Sequence, residues 1–172
     1  MGNPAPGLSE PPAPIERTKA GDVVVQLGPD ERELLRRLAA ELEQLLAAQP
    51  EDPVLRRLRP RAHEDDEVER EFRSLMGGEL EAGRLANLRG LAETAGQDRL
   101  DAQELDRWLG ALNDLRLVLG TRLDVTEDQF ADGFDPGAPD AYELAVYAFL
   151  TWVQEAAVQA AVENLDVRAI ED

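Results

Sequence analysis

The sequence predicts a mainly α protein, a helical bundle of four to five long helices with a short N-terminal β-hairpin. Three observations predict it. Between Leu105 and Leu119, apolar residues at 105, 108, 109, 112, 115 and 119 follow helical spacing, while Leu117 and Val118 fill other faces. A helix apolar on most sides belongs inside a bundle. Leucine stripes at the same spacing recur before and after it, from Leu34 to Leu46 and from Leu80 to Leu91. Only Ile15 to Leu27, with Val23-Val24-Val25, has a β-like pattern.

The elements follow in chain order. Residues 1–14 carry Pro4, Pro6, Pro11, Pro12 and Pro14 and read as a disordered or extended tail, leaving 15–172 as a single helical domain. Ala20-Gly21-Asp22 is a turn signal, so Ile15–Lys19 should pair with Val23–Leu27. An isolated hairpin is marginal in water. It must lie on the helices or pair with the same hairpin of a second chain, and a homodimer is expected. The first long helix starts at Pro29, with Asp30 and Glu31 at its positive end. Leu34, Leu35, Leu38, Leu42, Leu45 and Leu46 form its inner stripe, and Pro50 and Pro53 end it. Asp52 caps a one-turn helix that holds Leu55 and Leu58 and stops at Pro60.

Asp65 to Leu75 predicts a helix with Val68, Phe72 and Leu75 inward, broken by Gly77-Gly78. A second segment runs from Glu79 to Thr94 with Leu80, Leu85, Leu88 and Leu91 inward. Asp101 caps the central helix, Glu104 completes a capping box, and the helix ends near Gly120 to Leu123. Thr126 opens a short turn with Phe130, and Gly133, Pro136, Gly137 and Pro139 make a loop. Asp140 caps a last helix that runs to about Leu165.

A chain of 172 residues with 43% apolar content suits one domain. Its 36 acidic and 18 basic residues leave a net charge of −18, which argues against direct DNA binding and against anionic membranes. The acidity serves solubility or a basic protein partner. There is no Cys, so disulfides, thiolate metal sites and thiol redox switches are excluded within these residues. With His63 alone, a multi-His metal site would need a second copy of the chain. No basic, then apolar leader opens the sequence, and Pro6 stands where myristoylation needs Ser or Thr. The longest apolar run, Leu144 to Val153, is half a membrane span. A cytoplasmic protein is expected.

The acidic run from His63 to Glu67 reads as a capped, solvated helix start rather than a metal site. Glu67 and Glu71 share a face but form no acid/base device without a pocket. Arg56, Arg57, Arg59 and Arg61 are the one basic cluster. They contact nucleic acid or a partner, or pair locally with the acids of residues 64–71, and the charge balance favours local pairing. Asn113, Asp114 and Arg116 sit mid-helix, with Arg122 near its end. Asn113 belongs to a recognition site, or Asn113 and Asp114 tie the helix to the loop or to Arg84 and Arg89; the structural reading is the simpler. Trp108, Phe149 and Trp152 read as core. Gly77-Gly78 and Gly83 make no dinucleotide motif, and neither Ser9 nor Ser74 has a nucleophile-elbow context. No catalytic residue, metal site or cofactor is expected.

Four segments carry a family resemblance: GDVVVQLGPDERELLRRL, DPVLRRLRPRAHEDD, EFRSL and WLGALNDLRLVLGTRLDV. Together with the aromatic last helix they resemble, over residues 16–165, the actinobacterial family of unknown function that includes the oxidative-stress regulator AosR. The resemblance implies a non-enzymatic cytosolic regulator acting through protein contacts, with a sigma factor or RNA polymerase as partner. Family genes neighbour that of a Clp protease adaptor, so the alternative is an adaptor or structural protein linked to Clp proteolysis. A third class, an enzyme or ligand-binding helical protein, would need a deep pocket lined by convergent polar groups. The regulator branch senses oxidants through paired cysteines, and their absence here means that property does not transfer. Met76 stands where the family pattern places a helix-capping Thr.

Overall fold

A computed structural model describes residues 12–125 and 135–170. In order, the elements are β1 (Ile15–Arg17), β2 (Val23–Val25), α1 (Pro29–Ala48), a 3-10 helix (Pro53–Leu58), α2 (Asp66–Thr94), β3 (Arg99–Leu100), α3 (Ala102–Arg122) and α4 (Ala141–Ile170). The fold is mainly helical, with a small antiparallel sheet of order β1-β2-β3.

The expected hairpin forms, with Ile15 opposite Val25 and Arg17 opposite Val23. Gly21 supplies the positive φ of +91° that its turn requires. The sheet has a third strand that the local pattern did not reveal. Arg99-Leu100 pairs with β2, Val23 facing Leu100, and the Val25 N–H donates to Asp98 O at 2.9 Å. The buried faces of Ile15, Val23, Val25 and Leu100 close one end of the core. Arg17 Nε donates to Ala160 O at 2.7 Å, which ties β1 to α4. The hairpin is therefore supported from within the chain. Residues 1–11 of the expected tail lie outside the described residues, but Pro14 is buried and its carbonyl accepts from the Gln26 N–H.

In α1, Pro29 opens the helix and Glu31 Oε2 accepts the Gly28 N–H at 2.7 Å. Leu35, Ala39, Leu42 and Leu46 are buried, and Leu34, Leu38 and Leu45 flank them. Asp52 caps the 3-10 helix by accepting from the Val54 N–H at 2.8 Å, and Leu55 and Leu58 anchor it.

The largest departure from expectation is α2. It runs unbroken for 29 residues through Gly77-Gly78. Glycine costs about 1 kcal/mol in a helix interior, but unlike proline it keeps its N–H in the ladder. The helix therefore continues, and Met76 lies inside it rather than at a start. Its second half packs antiparallel to α3, where Leu88 and Leu91 are buried. The two backbones approach closely at Gly90, where an added Cβ would sit 2.6 Å from Arg107 Cδ, and at Gly110, which abuts Asn87. In the first half Val68, Leu75 and Leu80 are exposed rather than inward, because no described helix covers them.

The capping box of α3 forms as expected, Asp101 Oδ1 accepting from the Glu104 N–H and Glu104 Oε2 from the Asp101 N–H, both at 2.8 Å. Trp108 is fully buried, and its Nε1–H donates to Thr94 Oγ1 at 2.7 Å. Thr94 donates onward to Gly90 O at 2.6 Å. In α4, Val146, Leu150, Val153, Ala157 and Ala160 face the core. Trp152 does not belong to it: the ring is on the outer side, 39% exposed, tilted against a half-buried Phe149. Trp152 is one position from Val153, so helical rotation turns it outward. The expected turn at Thr126 and Phe130 and the start of the loop at Gly133 lie outside the described residues. No described helix is long and apolar enough to cross a membrane.

Candidate functional site

Because α2 outruns α3 and α1, its first half overhangs a cleft of about 730 Å³. The walls come from the end of α1 (Leu46), the 3-10 helix (Leu58), the loop after it (Pro60) and α2 itself (Phe72, Leu80). A chain of charges crosses one side. Arg84 Nε donates to Asp114 Oδ2 at 2.9 Å, Nη2 to Leu58 O at 3.0 Å and Nη1 to Glu81 Oε2 at 3.3 Å. Glu81 Oε1 also meets Arg59 Nη2 at 3.4 Å, and Arg59 Nη1 donates to Pro50 O. Arg84 thus links α2, α3 and the 3-10 helix. Burial raises the Asp114 pKa above the ordinary carboxylate value; Arg84 opposes that rise and Glu81 adds to it.

At the cleft mouth Glu69 is buried in spite of its charge. Its Oε2 accepts from the Ala62 N–H at 3.0 Å and the His63 N–H at 2.9 Å, and its Oε1 accepts from Arg73 Nε at 2.9 Å. Burial pushes its pKa up, but the bonds from His63, Arg73 and Ala62 prevail and hold it below the ordinary value. Those bonds fasten the 61–63 loop to α2. They also fix Arg73 by its Nε alone: its side chain is 54% exposed, and Nη1 and Nη2 make no hydrogen bond among the described residues.

The structure separates the residues that the sequence groups together. Asp114 joins the cleft through Arg84, while Arg89 pairs with Glu43 at 2.7 Å. Asn113 is exposed and makes no hydrogen bond among the described residues, contrary to the expected tie. Arg116 clamps α3 to α4, with Nε on Thr151 Oγ1 at 3.0 Å, Nη1 on Gln154 Oε1 at 2.8 Å and the guanidinium 5.4 Å from the Tyr147 ring centre. Arg122 borders a separate hollow of about 370 Å³ between α1 and α3. Successive helical residues rotate by about 100°, so neighbours in sequence serve different faces.

Of the arginine cluster, Arg59 and Arg61 line the cleft, and Arg61 pairs with Asp66 at 2.6 Å. Arg56 borders an adjoining hollow of about 230 Å³ with Arg59 and Arg73. Arg57 is exposed and lies near Gly120. Asp65 caps α2 through the Glu67 and Val68 N–H groups, as the acidic run suggests. The expected tie of Asp114 to Arg84 forms, while sequence reasoning missed Glu69, Arg73 and Glu81. The spacing of Glu69 and Arg73, four apart on one helix, was the available signal. No group of three or more His, Cys, Asp or Glu among the described residues could hold a metal ion.

A family model described as a domain of unknown function, DUF2017, matches residues 12–161. A Mycobacterium leprae protein that bears the name of a candidate oxidative stress regulator, AosR, is 32% identical over 127 residues. That match covers 63% of this chain and 58% of the relative's length. No solved structure matches the chain.

Proposed function

The chain belongs to the DUF2017 family, and from that premise we propose that it is a non-enzymatic regulatory protein that acts through contacts with other proteins in the transcription machinery, a sigma factor or RNA polymerase. The observation that carries the reading is the exposed apolar side chains on the first half of α2. Leu75 is 71% exposed and Leu80 57% exposed on a well-formed helix. Large apolar side chains left exposed are the kind of surface another protein covers. The name borne by the Mycobacterium leprae relative supports regulation as the role. These 172 residues hold no Cys, so the regulation does not run through thiols of this chain.

The test is crosslinking in the native cell followed by affinity purification of the tagged chain. The reading expects an RNA polymerase subunit or a sigma factor, enriched over an untagged control. Recovery of Clp components in their place would substitute the adaptor reading, and recovery of neither would remove both. A homodimer belongs to the same reading, with the uncovered Trp152, Val158 and Val162 of α4 as its surface. Light scattering that gives a monomer mass at high protein concentration would remove it.

A further inference from the structure

Arg73, Leu80 and Arg84 leave α2 within about 40° of one another, on the side that carries Leu91 further along the helix. Leu91 is fully buried and Leu80 is 57% exposed. One side of one helix is thus core at its far end and open at its near end, and the open part roofs the cleft of about 730 Å³. That volume lies in the range of sites for small organic molecules and far above the space of an ion. Leu46, Leu58, Pro60, Phe72 and Leu80 give it apolar walls. Val68 and Leu75 lie across α2 and take no part in it.

Most of the ionisable side chains that line the cleft are already engaged. Arg84 bonds to Asp114, Leu58 O and Glu81, and Arg59 meets Glu81 and Pro50 O. Arg61 pairs with Asp66 at 2.6 Å and donates to Glu64 O at 3.0 Å. Glu69 accepts from Ala62, His63 and Arg73. Two groups of opposite sign are left. Arg73 is held by its Nε, and its Nη1 and Nη2 form a planar fork suited to a carboxylate. Glu51, exposed between α1 and the 3-10 helix, makes no hydrogen bond or ion pair among the described residues. The two share one stretch of the cleft, since both also line the adjoining hollow of about 230 Å³; Arg56 lines that hollow but not the cleft. They do not pair with each other, because the ion pair of Arg73 is with Glu69 at 2.9 Å. A ligand that brings one charge alone leaves either Arg73 or Glu51 unmatched.

We propose that the cleft binds a small zwitterion with an apolar body, its carboxylate on the Arg73 fork, its ammonium on Glu51 and its side chains against Leu58, Phe72 and Leu80. A free apolar amino acid and a short apolar peptide share that chemistry. The site goes beyond the reading through protein contacts and does not depend on it.

Isothermal titration calorimetry of the full chain with trileucine is the test. Trileucine is compared with its N-acetyl form, which lacks the ammonium, and its amide, which lacks the carboxylate. Saturable binding is expected, and each modification weakens it about tenfold, the size of one lost hydrogen bond to a charged group. Arg73→Gln erases the penalty for amidation and keeps that for acetylation; Glu51→Gln does the reverse. A side chain that only supports the fold would not sort the probes by the end they have lost. Circular dichroism checks both variants, and the capped probes on the unmodified chain, with Glu51→Gln at an exposed and unpaired position, decide the matter even if Arg73→Gln does not fold. No saturable binding, equal affinity for the three probes, or penalties that persist in both variants overturns the proposal. Decanoate, a carboxylate on an apolar body, should bind at least about tenfold more weakly; equal binding would show that the carboxylate suffices and also overturns it. Leucine separates the sources: binding as tight as that of trileucine assigns a free amino acid, weaker binding a peptide, and either supports the proposal. Failure of every probe leaves the partner purification to judge the proposed function, and failure of that purification leaves this site standing.

Discussion

The two halves of α2 are written in nearly the same residues and do different work. From Leu85 onward its leucines meet α1 and α3, its Gly90 admits the Arg107 side chain, and Thr94 accepts from the Trp108 indole. From Asp66 to Leu80 the leucines face water, two glycines have nothing within contact distance, and a buried glutamate holds an arginine at a cleft mouth. The helical period is continuous across both halves. Burial on a long helix is thus decided by how far its neighbours extend.

The comparison breaks first where burial is deepest. Trp108→Ala should cost about 3–5 kcal/mol, the range for truncating a buried Trp, and it leaves Thr94 without its indole donor. Leu80→Ala should cost roughly 0.5 kcal/mol or less, as for a surface site. Urea denaturation of both variants decides this, and equal losses would mean that the first half of α2 is covered. The glycines sharpen the contrast by a difference of sign. Gly90→Ala forces the Arg107 stem aside and should destabilise by about 1–3 kcal/mol. Gly77→Ala meets nothing within 4 Å and should stabilise by roughly 0.5–1 kcal/mol through helix propensity.

Two carboxylates, Glu69 on the first half of α2 and Asp114 on α3, have opposite pH behaviour. Glu69 is held below its ordinary value, so its contribution is complete above the unfolded glutamate pKa and is lost as pH falls through the folded one. Asp114 is raised, so the folded chain takes its proton first, and stability declines as pH climbs from the ordinary aspartate value through the raised one. Denaturation across acidic pH should show Glu69→Gln flattening the acid loss and Asp114→Asn removing the opposing slope. The smallest effect belongs to Asn113→Ala, within about 0.5 kcal/mol because the side chain is exposed. A loss above about 1 kcal/mol in thermal melts would show a hydrogen bond that Asn113 does not make among the described residues.

Local signals were enough for the start of each well-capped element. Pro29 with Glu31, Asp52 with Pro53 and Asp101 with Glu104 are chemistry between residues two or three apart, and each forms as read. The Val23–Val25 hairpin and the inner faces of α1 and α3 follow from period alone. Contacts between distant segments were not legible. Arg99-Leu100 becomes a strand only because β2 lies beside it, and Gly77-Gly78 stays helical because it keeps its backbone donors. The cleft is a mixed case: the tie of Asp114 to Arg84 was among the expected pairings, but the bond from Arg84 to Leu58 O and the hold of Glu69 on the 61–63 loop depend on where α2 crosses the 3-10 helix and the loop after it. Periodicity reports which residues share a helix face. It carries no information on where the neighbouring helix stops, and at Leu80 that ending separates core from surface.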